Sequence, residues 1–173
     1  MWGTLLLSLL WGLTNTALAE VARPSLQYWY SEGGAVEHVT EMRQLDTALE
    51  RHTNALVLFY VNWCEHCADT KPHFQSAADY LKEHKRKVGM VAFDSSKSAD
   101  ALREVSKGQY SGFPTILYFR KGVLQKEFKY EKSQNGLLLF LDDNIPGGLK
   151  LPPAALGFSL AKSAPVPSPK DEL

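Results

Sequence analysis

The sequence predicts an α/β domain with a central mixed β-sheet flanked by helices. Two apolar runs, "ALVLFYV" at residues 55–61 and "KVGMVAF" at residues 87–93, are typical of strands covered on both faces, and a helical pattern follows each of them. Alternation of covered strands with helices favours parallel pairing, whereas two alternating runs around Lys121-Gly122 indicate an antiparallel hairpin. Together these patterns predict a sheet that contains both kinds of pairing.

The first half of the domain is predicted as strand, helix, strand and long helix. "AVEHVT" alternates apolar and polar residues like a strand, and Thr40 is a candidate N-cap for the helix that follows through "EMRQLDTALERH". The run at residues 55–61 then supplies the central strand, and residues 64–84 form a long helix. The buried stripe of this helix is expected to consist of Phe74, Ala77, Ala78 and Leu81.

The second half is predicted as strand, short helix, hairpin and a final helix. The strand lies in "KVGMVAFDSS", and a helix of about two turns follows it and stops near Gly108. The hairpin turns at Lys121-Gly122, and "SQNGLLLFLDD" supplies the last helix. The predicted order of elements is therefore β-α-β-α-β-α-β-β-α.

The two ends of the chain are predicted to be targeting segments rather than parts of the folded domain. Residues 1–19 carry an apolar stretch followed by Ala17-Leu18-Ala19, the small-x-small pattern of a cleaved signal peptide. A membrane anchor is the alternative, but polar and glycine residues interrupt the stretch well short of the ~20 apolar residues that span a bilayer. We therefore expect a mature chain that is not inserted in the membrane.

At the other end, residues 149–173 form a proline-rich segment that is expected to be flexible. It closes with the tetrapeptide by which a receptor returns proteins to the endoplasmic reticulum, and this predicts residence in the endoplasmic reticulum lumen. The residues of this retention signal are Lys170, Asp171, Glu172 and Leu173. The remaining residues, 20–148, are predicted to form a single domain.

Charge gives no sign of a nucleic acid partner. The chain has 19 basic and 19 acidic residues and a formal net charge of zero. A basic face that would attract nucleic acid or anionic lipid is therefore not expected.

The chemistry of the chain is expected at its only two cysteines, Cys64 and Cys67. Cys64 lies where the long helix begins, and there unpaired backbone N–H groups and the helix dipole favour a thiolate, so Cys64 is the expected nucleophile. Cys67, one turn further on, is placed to resolve a mixed disulfide, and His66 adds partial positive charge near the thiolate. A structural disulfide and a zinc site remain as alternatives, although a short loop gains little from cross-linking and no second pair of metal ligands is evident. No metal and no cofactor are expected.

The stretch "ALVLFYVNWCEHC", followed by "GFPTILYFRKG", resembles the thioredoxin-like catalytic domains of the protein disulfide isomerase family over roughly residues 30–145. The resemblance implies a thioredoxin-like fold and a redox disulfide between Cys64 and Cys67. It also implies that the Phe113-Pro114 bond is cis and faces this disulfide, and that Trp63, Phe113 and Pro114 contact the substrate.

The sequence departs from this family at several positions. Domains of the family often carry a buried carboxylate at the position of Leu58 and a lysine at the position of Ala92, and the carboxylate helps to deprotonate the second cysteine. Since both residues are apolar here, we expect Cys67 to resolve the mixed disulfide more slowly than Cys64 forms it. Glu65 replaces the usual glycine, and its charge opposes a thiolate at Cys64. The arginine common near the last helix has no clear counterpart, and Lys132 is the nearest cation.

The function expected from these features is thiol–disulfide exchange or isomerisation on client proteins of the secretory pathway. The expected partners are these clients, a redox partner or glutathione, and the receptor that reads the retention signal. The alternative is a chaperone or client-binding module on the same fold with slow or incidental redox activity. The adjacent aromatic residues Tyr28, Trp29 and Tyr30 would be a candidate contact surface for such a module.

Overall fold

The fold was analysed in a computed structural model that describes residues 34–98, 100–110 and 112–152. The predicted signal peptide, the aromatic triplet at residues 28–30 and the retention signal lie outside the described residues. The predicted boundaries of the domain therefore remain predictions.

The structure has the predicted order of strands and helices. The elements are β1 (Glu37–Val39), α1 (Met42–Arg51), β2 (Asn54–Tyr60), α2 (Glu65–Glu83), β3 (Gly89–Asp94), α3 (Ala101–Val105), β4 (Thr115–Arg120), β5 (Val123–Glu127) and α4 (Gln134–Asn144). The five strands form one sheet in the order β1-β3-β2-β4-β5. Strand β3 pairs in parallel with β1 and β2, whereas β4 pairs antiparallel with β2 and β5. The predicted mixed sheet with flanking helices is thus confirmed.

Strand β2 is the centre of the sheet and divides the core into two layers. Its residues 55–60 are all buried, as expected for a strand that is covered on both faces. Leu56, Leu58 and Tyr60 pack on one face with residues of α2 and α4. Because side chains alternate along a strand, the intervening residues pack on the other face with α1 and α3.

Two helices differ from their predicted limits. The N-cap of α1 is Glu41 rather than Thr40, because the Gln44 side chain accepts hydrogen bonds from the backbone N–H groups of both Thr40 and Glu41 and closes a capping box. Helix α3 is shorter than the predicted two turns: it has five residues and is followed by a left-handed Gly108.

The hairpin and the last helix form where they were predicted. Lys121 and Gly122 both have positive φ, as a two-residue turn between twisted strands requires. Helix α4 begins after Ser133, whose side chain accepts the backbone N–H of Gly136 at 3.1 Å. Packing continues beyond the predicted end of the domain, since Leu149 is buried and its N–H donates to the Asp142 carboxylate.

Candidate active site

The site is built where the central strand leads into the long helix. After β2, the chain turns through Asn62 and Trp63, and the backbone N–H of Cys64 donates to the carbonyl of Val61 at 3.3 Å. Cys64 is the N-cap of α2 and has an extended backbone. Its sulfur therefore lies at the end of the helix where backbone N–H groups lack partners within the helix.

The structure joins Cys64 and Cys67 in a disulfide with a Cα–Cα distance of 5.1 Å. The backbone N–H of Cys67 donates to the Sγ of Cys64 at 3.1 Å. Cys67 is fully buried, whereas Cys64 is partly exposed. A sulfur of another molecule could therefore approach Cys64 from solvent, and it could not reach Cys67 without a rearrangement.

The residues around the exposed cysteine are open to solvent. Trp63 is 68% exposed, although it is a large apolar side chain that would ordinarily be covered. Glu65 and His66, which lie between the cysteines in the sequence, are also exposed. The surface next to Cys64 thus combines an aromatic ring with a carboxylate and an imidazole.

An open groove of about 460 Å³ runs beside this surface. The Phe113-Pro114 peptide bond in its wall is cis, as the resemblance implied. The groove brings together α2, the loop before β4 and the loop before α4, which are distant in the sequence. Its lining residues are His66, Asp69, Thr70, His73, Phe113, Pro114 and Lys132.

The interior behind Cys67 is apolar at the two positions singled out in the sequence. Leu58 of β2 and Ala92 of β3 are paired in register on neighbouring strands, and both are fully buried. They belong to the same buried cluster as Cys67. No carboxylate therefore stands at either position to accept the proton of Cys67.

Sequence reasoning missed one charged residue in this region. Lys71 lies in α2 and is only 8% exposed, and its Nζ is 4.9 Å from the centre of the Tyr60 ring. Burial lowers the pKa of Lys71 to about 8, and the carboxylate of Asp94 partly opposes this shift. A signal was present in the sequence: Lys71 falls four residues after Cys67 and three before Phe74, on the buried stripe of the helix.

Lys71 belongs to a group of polar residues on the face of the sheet that α2 covers. Tyr60 and Asp94 are paired in register on β2 and β3, and burial raises the pKa of Tyr60. The Asp94 carboxylate accepts hydrogen bonds from the Asn62 side chain and from the Ser96 backbone. On β1, desolvation of the ring lowers the pKa of His38 to about 4, and the charge of Lys71 acts in the same direction.

Neither a metal site nor a membrane helix is evident in the described part of the chain. Within residues 34–98, 100–110 and 112–152, no three histidine, cysteine or acidic side chains are grouped so that they could hold a metal ion. Over the same residues, every helix is too short or too polar to cross a bilayer.

The chain matches a thioredoxin family profile and is similar to several protein disulfide-isomerases. The thioredoxin family profile matches residues 36–143. The chain is 36% identical over 97 residues to protein disulfide-isomerase A5 of Mus musculus, which covers 56% of this chain and 18% of the mouse protein. It is also 30% identical to protein disulfide-isomerase 1 of Dictyostelium discoideum over 139 residues. This aligned region covers 80% of this chain and 36% of the relative. The chain thus matches only a minor part of each of these longer proteins.

A solved structure supports the same fold. The first thioredoxin domain of mouse protein disulfide-isomerase A4 superposes with a TM-score of 0.54, at 20% sequence identity, over 63% of this chain and 74% of that domain. At this identity, the likeness supports the architecture of the sheet and helices.

Proposed function

Because the chain belongs to the thioredoxin family, we propose that Cys64 and Cys67 carry out thiol–disulfide exchange on client proteins. The observation that carries this proposal is the asymmetry of the pair: Cys64 is partly exposed at the start of α2, and Cys67 is fully buried one turn later. The N–H groups at the helix start favour a thiolate at Cys64, and we assign the neighbouring His66 to the same role.

The exchange proceeds in two steps, attack by Cys64 and resolution by Cys67. The Cys64 thiolate attacks one sulfur of a client disulfide, so that a mixed disulfide forms and the other client sulfur leaves as a thiolate. The Cys67 thiolate then attacks the Sγ of Cys64, which closes the Cys64–Cys67 disulfide and releases the second client thiolate. The client disulfide is reduced and the cysteine pair is oxidised, and the reverse sequence oxidises a client.

The groove beside Cys64 is the proposed binding site for the client chain. Trp63 and Phe113 supply apolar contacts, and Pro114 lies in the wall of the groove. An extended client segment in this groove would bring its disulfide to the exposed face of Cys64. Asp69 and Lys132 also line the groove and would contact charged or polar groups of the client near the reacting cysteine.

Insulin reduction by the purified protein tests the activity. With dithiothreitol or glutathione as the reductant, the wild-type protein should accelerate precipitation of the insulin B chain. Cys64→Ser should abolish the acceleration, and Cys67→Ser should trap a mixed disulfide. An uncatalysed rate for the wild-type protein, together with a pair that stays oxidised in glutathione buffer, would instead indicate a structural disulfide.

We also propose that the clients are proteins of the secretory pathway and that the protein works in the endoplasmic reticulum lumen. Support comes from the apolar stretch at residues 1–19 and from Lys170, Asp171, Glu172 and Leu173, which match the retention signal. Glutathione or a dedicated redox partner would then return the cysteine pair to its working state.

A chaperone-like module that holds its clients remains a second candidate, and the exposed Trp63 favours it. A large exposed aromatic ring can bind an unfolded client whether or not disulfides are exchanged. The double variant Cys64→Ser/Cys67→Ser separates the two functions, because a holding module would still suppress aggregation of a client that contains no cysteine.

A further inference from the structure

Lys71 is a charged residue in an interior from which charge is normally excluded. It is 8% exposed, and it lies on the face of α2 that packs on the sheet. Burying an ammonium group is unfavourable unless other groups compensate for the lost water. Here the compensation includes the face of the Tyr60 ring, 4.9 Å from the Nζ, and the charge of Asp94.

Lys71 lies one helical turn after Cys67, and both residues are on the buried face of α2. Residues four apart in a helix lie on the same face, and each Cα–Cβ bond tilts toward the helix N-terminus. We therefore expect the side chain of Lys71 to lie next to the turn that contains Cys67. Its partner Tyr60 lies two residues after Leu58 on the same face of β2, and all of these apolar or aromatic groups share one buried cluster with Cys67.

Burial lowers the pKa of Lys71 toward neutral pH, and the charge of Asp94 opposes part of this shift. Three titratable groups face it from the strands: His38 of β1, Tyr60 of β2 and Asp94 of β3. With a pKa of about 8, about a tenth of Lys71 would carry the free amine at pH 7. That fraction can accept a proton, whereas an exposed lysine is almost wholly protonated at this pH.

We propose that Lys71 accepts the proton of Cys67 when Cys67 attacks the mixed disulfide. It would take the role of a buried carboxylate, which is absent here because Leu58 occupies that position. The inference rests on the proposed function and concerns its second step. The Cys67 thiol loses its proton to the Nζ of Lys71, the thiolate attacks the Sγ of Cys64, and the client sulfur leaves as a thiolate. Lys71 then returns its proton to solvent, with Asp94 nearby to stabilise the ammonium.

A single-turnover experiment on the full chain separates the two steps. The reduced protein is mixed with a disulfide-bonded peptide, samples are quenched with acid, and the mixed disulfide and the released peptide are measured separately. Lys71→Met should leave adduct formation by Cys64 unchanged and slow its resolution by about a hundredfold, the lower end of general-base effects. Lys82→Met, on the exposed side of the same helix, is the matched control and should resolve the adduct at the wild-type rate.

Lys71→Arg distinguishes a proton acceptor from a positive charge. Arginine keeps the charge but cannot accept a proton, so this variant should resolve the adduct as slowly as Lys71→Met. In the wild-type protein, the resolution rate should rise with pH to a midpoint near 8, and in Lys71→Met the midpoint should move to higher pH. Asp94→Asn should move it to lower pH, because Asp94 raises the pKa of Lys71.

Three results would overturn the inference while leaving the proposed function in place: wild-type resolution in Lys71→Met, full rescue by Lys71→Arg, or a pH profile that Lys71→Met does not change. If Asp94→Asn no longer resolved the mixed disulfide while Lys71→Met resolved it at the wild-type rate, Asp94 would be the proton acceptor. Failure of the wild-type protein to form any adduct at Cys64 would contradict the proposed function itself.

Discussion

The backbone N–H of Cys67 points at the sulfur of Cys64, with 3.1 Å between the two atoms. The helix geometry that aims this N–H is made by α2 itself, since Cys67 and Ala68 also donate to the Cys64 carbonyl. We therefore expect the donor to remain in place when the disulfide is reduced. In the reduced protein, this N–H would stabilise a thiolate at Cys64. Cys67, which is fully buried, would stay a protonated thiol.

Removal of the charge beside Cys64 should make its thiolate form more readily. Glu65 is exposed in the first turn of α2, and its carboxylate opposes the effect of the backbone N–H groups. In Glu65→Gln, the midpoint of the pH profile for Cys64 alkylation should fall by roughly half a pH unit. Glu83→Gln at the far end of α2, about 27 Å away, is the control. Equal profiles for Glu65→Gln and the wild-type protein would show that the carboxylate does not act on the sulfur.

Loss of the exposed Trp63 ring should weaken client binding without affecting the fold. Trp63→Ala should raise the KM for a peptide disulfide about tenfold, which corresponds to about 1.4 kcal/mol of binding. The thermal midpoint should stay at the wild-type value, because the ring is 68% exposed. Val123→Ala removes the other large apolar side chain that is exposed among the described residues, and it lies on β5. An equal rise in KM for both variants would mean that the contact is not specific to the active site.

Stability should rise between pH 8 and pH 10 because Lys71 is buried. Its pKa is about 8 in the folded protein, against an ordinary value of 10.5, so the unfolded chain binds more protons in this range and the free energy of unfolding increases with pH. The contribution is about 2 kcal/mol. Above pH 10, Tyr60 acts in the opposite direction, since burial raises its pKa.

Urea unfolding of the wild-type protein and Lys71→Met across this range measures the effect. The free energy of unfolding of the wild-type protein, measured relative to that of Lys71→Met, should increase by about 2 kcal/mol from pH 8 to pH 10. Lys82→Met should follow the wild-type curve. A pH-independent difference for Lys71→Met would show that Lys71 titrates near its ordinary pKa.

Gly136 should be required for the start of α4. A Cβ on Gly136 would overlap the backbone carbonyl of Glu131, so that the loop before the helix would have to move. Gly136→Ala should therefore destabilise the protein by about 1–3 kcal/mol, although alanine favours helices in general. Gly112→Ala meets no atom within 4 Å and should change the stability by less than about 0.5 kcal/mol. Stabilisation by Gly136→Ala would mean that the loop yields without strain.

Removal of the last four residues should send the protein out of cells. If a receptor reads Lys170, Asp171, Glu172 and Leu173, the truncated protein should appear in the culture medium, and the full chain should remain inside. Replacement of Lys162 and Ser163 by alanine in the same segment is the control and should not change retention. Retention of the truncated protein would indicate a resident partner or an anchor.

The sequence by itself determined the order of the nine elements in the described part of the chain and the place of the cysteine pair. Periodicity and turn residues report local geometry, so the covered strands, the hairpin at Lys121-Gly122 and the helix that begins at Cys64 could all be predicted. The predicted N-cap of α1, Thr40, was wrong by one residue, because the Gln44 side chain bonds to the backbone N–H groups of both Thr40 and Glu41.

Only the tertiary structure decided which groups surround each cysteine. The groove unites α2 with Pro114 and Lys132, and the pairing of β2 with β3 places Leu58 beside Ala92. Lys71 shows the limit most clearly: its place on the buried stripe was visible, but a long side chain can often reach solvent from such a position. In the folded chain, packing of α2 on the sheet leaves Lys71 only 8% exposed, with its amine over the Tyr60 ring. These contacts join segments that are distant in the sequence, so a local pattern does not predict them.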